Sequence, residues 1–245
     1  MTELLFLNDS YLHEFAATVG GVLESGVWLD RTAFFPGGGG QPGDLGILRA
    51  GEQVWTVTGM GRQAGQVIHR LDGDPPPAGS RVNGALDWSR RYRLMRTHTA
   101  LHILCGVIWR DYGAQVTGGN MKPGQARMDF EFERMEKALV QEIEAKINAE
   151  VEASRPVRTA ILPREEAFQI PDLIRTKINL LPPQIQEVRI VEIEGLDLQA
   201  DGGTHVRNTS DVGPIRIVDY KSKGRINKRL AIALDEAVSP EMEEA

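Results

Sequence analysis

Four side chains of this sequence are of types that bind a divalent metal: His98 and His102 in RTHTALHIL and, far along the chain, Asp201 and His205 in ADGGTHV. The two pairs share one four-residue spacing, and imidazoles with a carboxylate oxygen can fill a tetrahedral zinc site. A lone histidine is more often structural, and His13 and His69 are read that way. Two matched half-sites are harder to ascribe to packing, and Gly202 and Gly203 permit a tight turn back toward an ion. HTALH is not HExxH, because Thr99 stands where a metalloprotease has its glutamate base. Hydrolysis here would lean on a metal to acidify water, which suits a labile ester better than an amide.

The elements that must position these residues follow from periodicity. SRRYRLMRTHTALHILCGVIWRDYG has Leu94, Leu101, Leu104 and Ile108 at helical spacing and Gly113 as a stop. Such a helix puts His98 and His102 one turn apart on one face. RMDFEFE alternates as a strand with one buried face, and in MEKALVQEIEAKINAEVEA the residues Leu139, Ile143, Ile147 and Val151 mark the inner side of a charged helix. EEAFQI is expected to be a short helix after Pro163, and EVRIVEIEG, PIRIVDYKSKG and KRLAIAL to be strands. Without a strict βαβ rhythm this half reads as α+β. Upstream, VWLD, QVWTV, QVIHRL and NGALDW are strands punctuated by GGGGQPGD and DGDPPPAGS, which predicts a small β-barrel or sandwich. The boundary is placed near Trp88, giving domains 1–88 and 89–245.

Composition agrees with two soluble domains: 245 residues, 41% hydrophobic and 25% charged. No apolar stretch approaches the ~18 residues needed to span a bilayer, and MTELLFLNDSYLHEF lacks the basic start of a signal peptide. Cys105 is the one cysteine, which points to a reducing compartment, the cytoplasm. A net charge of -6 argues against an all-over affinity for nucleic acid. Local patches can still grip a polyanion. Arg90, Arg91, Arg93 and Arg96 form one basic run, Lys221, Lys223, Arg225, Lys228 and Arg229 another, and SPEMEEA is an acidic end.

HTALHIL, RMDFEFE, KINAEVEA, DLQADGGTHV and GPIRIVDYKSKGRINKR, in this order, resemble the editing domain of alanyl-tRNA synthetase and its free-standing relatives, the AlaX alanyl-tRNA editing proteins. RTAFFPGGGGQPGDLG resembles the glycine-rich motif of the β-domain that precedes it, so the likeness covers nearly the whole chain. It implies a β-barrel followed by a two-layer α+β editing domain shared with threonyl-tRNA synthetase. The implied reaction is zinc-dependent hydrolysis, one ion per chain, of the ester joining serine or glycine to the tRNA for alanine. Aminoacylation motifs and a long C-terminal extension are not seen, which suggests the medium-length, trans-editing type. An alanine pocket cannot easily exclude smaller glycine or a serine that adds only a hydroxyl, so a second hydrolytic check is physically motivated.

By resemblance the ligands are His98, His102 and His205, with Asp201 where CGGTH has its cysteine. A carboxylate is a harder ligand than a thiolate and alters metal preference. Asp201 either coordinates directly or bonds His205 from behind, and a decayed site is the bland alternative. Thr32 matches the family position associated with the serine hydroxyl and Gln41 is a second polar candidate, against which stands ordinary turn and strand chemistry. Arg90 and Arg91 could contact tRNA phosphates or form a solvated helix face paired with Asp87. Lys221, Lys223, Arg225 and Lys228 are the stronger expectation for the tRNA backbone. Competing functions are a metal-dependent hydrolase of small esters or amides and a non-catalytic tRNA- or metal-binding module.

Overall fold

The computed structural model describes residues 2–133, 135–176 and 185–235; the acidic end SPEMEEA lies outside them. Two compact units, Met1–Arg91 and Tyr92–Ala245, make up the chain.

The strands of the first unit are β1 (Glu3–Leu4), β2 (Glu14–Leu23), β3 (Gly26–Leu29), β4 (Arg31–Thr32), β5 (Gly46–Ala50), β6 (Gln53–Gln63), β7 (Gln66–Leu71) and β8 (Arg81–Leu86). Along β2, Phe15, Ala17 and Val19 are buried between more exposed neighbours, the period-two pattern of a strand with one face on a core. Six strands close into a barrel in the order β2-β3-β7-β6-β5-β8, with Leu29, Phe34, Leu48 and Val57 among the residues filling it. Closure removes the open edges that a sandwich would leave, so the expected barrel or sandwich is a barrel.

Helix α1 (Trp88–Tyr112) begins where Asp87 caps it, accepting the Arg90 N–H at 3.0 Å, and ends at Gly113, whose φ of 63° is the left-handed C-terminal signal. From Leu94 to Ile108 every residue is buried, so α1 is a central helix with no solvent face. Then follow β9 (Val116–Lys122), β10 (Gln125–Glu131), α2 (Lys137–Glu152), β11 (Val157–Pro163), α3 (Arg164–Ala167), β12 (Glu187–Ile193), β13 (Asp197–Ala200), β14 (Ile215–Ser222) and β15 (Asn227–Leu234). They form a four-stranded antiparallel sheet, β14-β15-β10-β9, and a three-stranded one, β11-β12-β13, and α2 packs against β14. The fold is α+β. The inner stripe of α2 runs through Val140, Ile143, Ile147 and Val151; Leu139 is only half-buried.

Candidate metal centre

His98 and His102 project from the buried middle of α1, and Asp201 and His205 lie in the loop that follows β13. One ligand atom from each of the four lies within 4.8 Å of all the others. Asp201 sits among the imidazoles: its Oδ2 is 3.5 Å from His98 Nε2 and 3.9 Å from His102 Nε2, and its Oδ1 is 3.8 Å from His205 Nε2. The His98 and His205 rings stack at 4.3 Å between centroids, and the His102 ring stands edge-on to His205 at 4.8 Å. Fold and sequence thus converge on one group from two distant segments.

Each half-site is held by groups that are not ligands. The Asp201 carboxylate accepts the Gly203 N–H at 2.6 Å, an Asx turn that shapes the ADGG loop. Arg189 on β12 ties the same loop down, donating Nη1 to the carbonyls of Asp201 at 3.0 Å and Gly203 at 2.9 Å. Thr99 links the halves: its hydroxyl donates to Met95 O within α1 and accepts the Val206 N–H at 3.2 Å. The position that would be a base in HExxH is a structural clasp here.

Asp197, at the start of β13, was not singled out from the sequence. Its Oδ2 is 2.9 Å from His102 Nδ1 and accepts the Gln199 amide at 2.7 Å. A carboxylate only accepts, so Nδ1 of His102 carries a proton and Nε2 is the nitrogen turned toward Asp201 and the site. Asp197, Gln199 and Asp201 alternate along and just beyond β13, a polar period of two that could have marked this face. Gly106 lets α1 approach: a Cβ there would lie 2.9 Å from Leu196 Cγ and 3.0 Å from Asp197 Cβ.

Burial holds His98, at about 4, and His205, well below the usual imidazole value, in the neutral form that donates a lone pair. Burial also opposes charge on His102, but the Asp197 and Asp201 carboxylates outweigh it and raise it to about 9. Burial works against an ionised Asp201 as well, and the three imidazoles more than offset it, keeping that carboxyl well below its usual range. Both ring nitrogens of His205 are buried without a hydrogen-bond partner. Unpartnered buried polar atoms are unfavourable, and two neutral imidazoles, a third that gives up its Nε2 proton on binding, and one carboxylate are a donor set for a divalent ion. The group could hold a metal.

The other expected site residues have different surroundings. Thr32 is fully buried; its hydroxyl is 2.8 Å from His69 Nε2 and accepts the Phe34 N–H at 3.1 Å. Gln41 is buried, and its backbone pairs with Gly38 in both directions to close the glycine-rich turn. Turn and strand chemistry describes both. Arg91 is corrected from an RNA contact to an interior brace. It is fully buried, its Nε lies 3.0 Å from Asp44 Oδ2, and it donates to the carbonyls of Ser10 and Ala33. Asp44 in turn accepts the Phe35 N–H at 2.7 Å, so Arg91 steadies the glycine-rich segment. Arg90 is half-buried and donates to Gly43 O at 3.3 Å. Lys221 pairs with Asp219 at 2.8 Å, and Lys223 and Arg225 are exposed at the tip of the β14–β15 hairpin. Lys228 is likewise corrected: it is buried, and its Nζ caps the hairpin through Gly224 O at 2.7 Å and Arg225 O at 2.9 Å.

Residues 188–231, which span β12 to most of β15 and include Asp201 and His205, match the family described as threonyl and alanyl tRNA synthetase second additional domain, and residues 5–90 match class II (A) tRNA synthetases. The alanyl-tRNA editing protein AlaX-M of Saccharolobus solfataricus is 42% identical across 94% of this chain and 98% of its own length. That of Methanosarcina barkeri is 38% identical across 96% and 99%. The alanine–tRNA ligase of Ignicoccus hospitalis is 37% identical across 90% of this chain, which corresponds to 24% of the ligase. Likeness of this extent runs through the barrel and the half that carries the His/Asp group alike, and the chain belongs to the AlaX-M family of alanyl-tRNA editing proteins.

Proposed function

We propose that this protein is a trans-editing aminoacyl-tRNA deacylase, removing serine and also glycine from the tRNA for alanine, with one zinc ion per chain at His98, His102, Asp201 and His205. The observation that carries this reading is the buried group of three imidazoles and one carboxylate in a member of an editing family. An ion held there supplies Lewis acidity to the ester carbonyl and to the attacking water. The chain's own residues do the rest. Asp197 orients His102, Arg189 and the Asx turn hold Asp201 in reach, and Thr99 clasps the second half-site to α1. The reaction adds water across the ester and breaks the bond from carbonyl carbon to ribose oxygen, giving the free amino acid and tRNA with its hydroxyl restored.

In this reading residues 1–88 are a glycine-rich barrel domain and residues 89–245 the editing domain. The tip residues Lys221, Lys223 and Arg225, beside exposed Tyr220, offer cations and an aromatic face to RNA. Among the described residues no helix is long and apolar enough to cross a membrane, and we place the protein with its tRNA substrate in the cytoplasm.

The test is ester loss from Ser-, Gly- and Ala-tRNA of the alanine isoacceptor, with zinc measured on the same sample. Loss of serine and glycine but not alanine, abolished in His102→Ala, is expected. A zinc-loaded protein that hydrolyses none of them overturns the reading, and hydrolysis of small esters alone would mark a different hydrolase.

A further inference from the structure

We propose that the barrel carries an RNA contact of its own: a cleft on its outer face, across β2, β8 and β5, that takes the phosphodiester backbone of the tRNA. The choice of polyanion rests on the deacylase reading.

The cleft has a volume of about 480 Å³ and is lined by Arg31, Arg49 and Arg81. Strand register explains its shape. Arg49 on β5 lies opposite Asn83 on β8, which lies opposite Ala16 on β2, and the next outward pair is Arg81 opposite Thr18. Because Ala16 is small, this row dips between long arginine side chains, and Ala50 and Gly51 keep the far end low. Small side chains, Ala16, Ala17 and Ala50, line the cleft beside the polar ones.

The charges are arranged for an anion. The side chains of Arg49 and Arg81 are exposed and make no ion pair or hydrogen bond with any described residue. Arg31, at the rim, pairs with Glu3 at 2.8 Å, and Asp30 accepts the Thr18 N–H at 2.7 Å, which turns that carboxylate toward the backbone. In a chain of net charge -6, arginines left unpaired around one concavity, with the Asn83 amide between them, lack an anion the chain does not supply. A guanidinium fork matches phosphate oxygens. Contacts of guanidinium groups to phosphate oxygens carry no base information, so the contact is independent of sequence.

The experiment compares the full-length wild type with Arg49→Ala/Arg81→Ala in binding uncharged alanine tRNA from 50 to 300 mM salt, with Lys137→Ala, exposed on α2, as a charge-loss control. The logarithmic salt slope of the double variant is expected to fall by about 2, one per lost phosphate contact. On Ser-tRNA its KM rises with kcat unchanged. Circular dichroism checks that both variants fold. Binding and KM equal to those of the wild type overturn the proposal. So does a wild type that binds AMP or inorganic phosphate as tightly as tRNA, which would make this a mononucleotide site. If the double variant loses RNA binding while the zinc-loaded wild type hydrolyses no ester, the cleft stands and the deacylase reading fails.

Discussion

A carboxylate at position 201, where the resemblance implies a thiolate, would make a metal's hold depend more on how well the imidazoles are aimed. His102 is aimed by Asp197, a residue with no ligand role. Asp197→Asn keeps the side chain's shape but replaces the anionic acceptor by a neutral one. Zinc affinity, measured by competition with a chromogenic chelator, should fall about tenfold with the fold retained; an unchanged affinity would show that the bond aims nothing. Thr32, the expected specificity residue, is bonded into the interior. His69 Nδ1 faces Val27 O at 3.4 Å, so it carries the proton, and the Thr32 hydroxyl donates to Nε2. Thr32→Val should destabilise the protein by about 1–3 kcal/mol and leave the preference for serine over alanine intact. Loss of that preference at wild-type stability would restore the recognition role. The same pair sets a pH dependence. Burial lowers His69 from 6.5 to about 4 in the folded state, so between these values the unfolded chain binds the proton and the folded chain does not. Its effect is absent above pH 6.5 and grows as pH falls, reaching a loss of about 3 kcal/mol near pH 4. Urea titrations from pH 7 to 4 should show a shallower loss in His69→Gln than in the wild type.

Among the elements, α1 and β13 meet where Gly106 permits it. Gly106→Ala places a methyl group against Leu196 and Asp197; a loss of about 1–3 kcal/mol is expected from overpacking, and zinc affinity should fall as Asp197 is displaced from His102. A gain in stability, as helix propensity alone would give, would refute the close approach. The same two elements show how legible the chain was. Helix α1 was readable because its apolar spacing, its histidine pair and Gly113 agree locally. β13 was not, since Asp197 and Gln199 look like a solvated face until their partners on α1 are known. β9, rich in glycine, and β11, whose side chains are mostly exposed, gave no alternation to read. Arg91 and Lys228 misled for one reason: charge predicts exposure, and the acceptors that bury them, Asp44 and the hairpin carbonyls, become neighbours only on folding. At the hairpin tip Lys223 and Arg225 are exposed. Lys223→Glu should weaken tRNA binding and reduce its salt slope by about 1 while zinc content stays at one per chain; unchanged binding would remove the hairpin from the interface.

For the molecule as a whole, the candidate metal ligands all belong to the second unit, and they join the middle of α1 to a loop about a hundred residues further on, a closure whose entropy grows only slowly with length. An ion that binds the folded form alone stabilises it by mass action, about 2.7 kcal/mol when free metal is a hundred times its dissociation constant. The barrel holds none of these ligands; its core is closed by β2 to β8 and braced by Arg91 and Asp44. Removing metal with a chelator should therefore act on one unit. Hydrogen exchange should accelerate in residues 94–108 and 187–206, where burial and the Thr99, Asp197 and Arg189 bonds depend on the closed loop. Amides of β2 to β8 should keep their protection, and adding zinc back should restore the slow exchange. Protection lost equally in both units would mean that the metal stabilises the chain through a single cooperative transition. No change in either unit would mean that the three histidines and Asp201 are held by protein contacts alone.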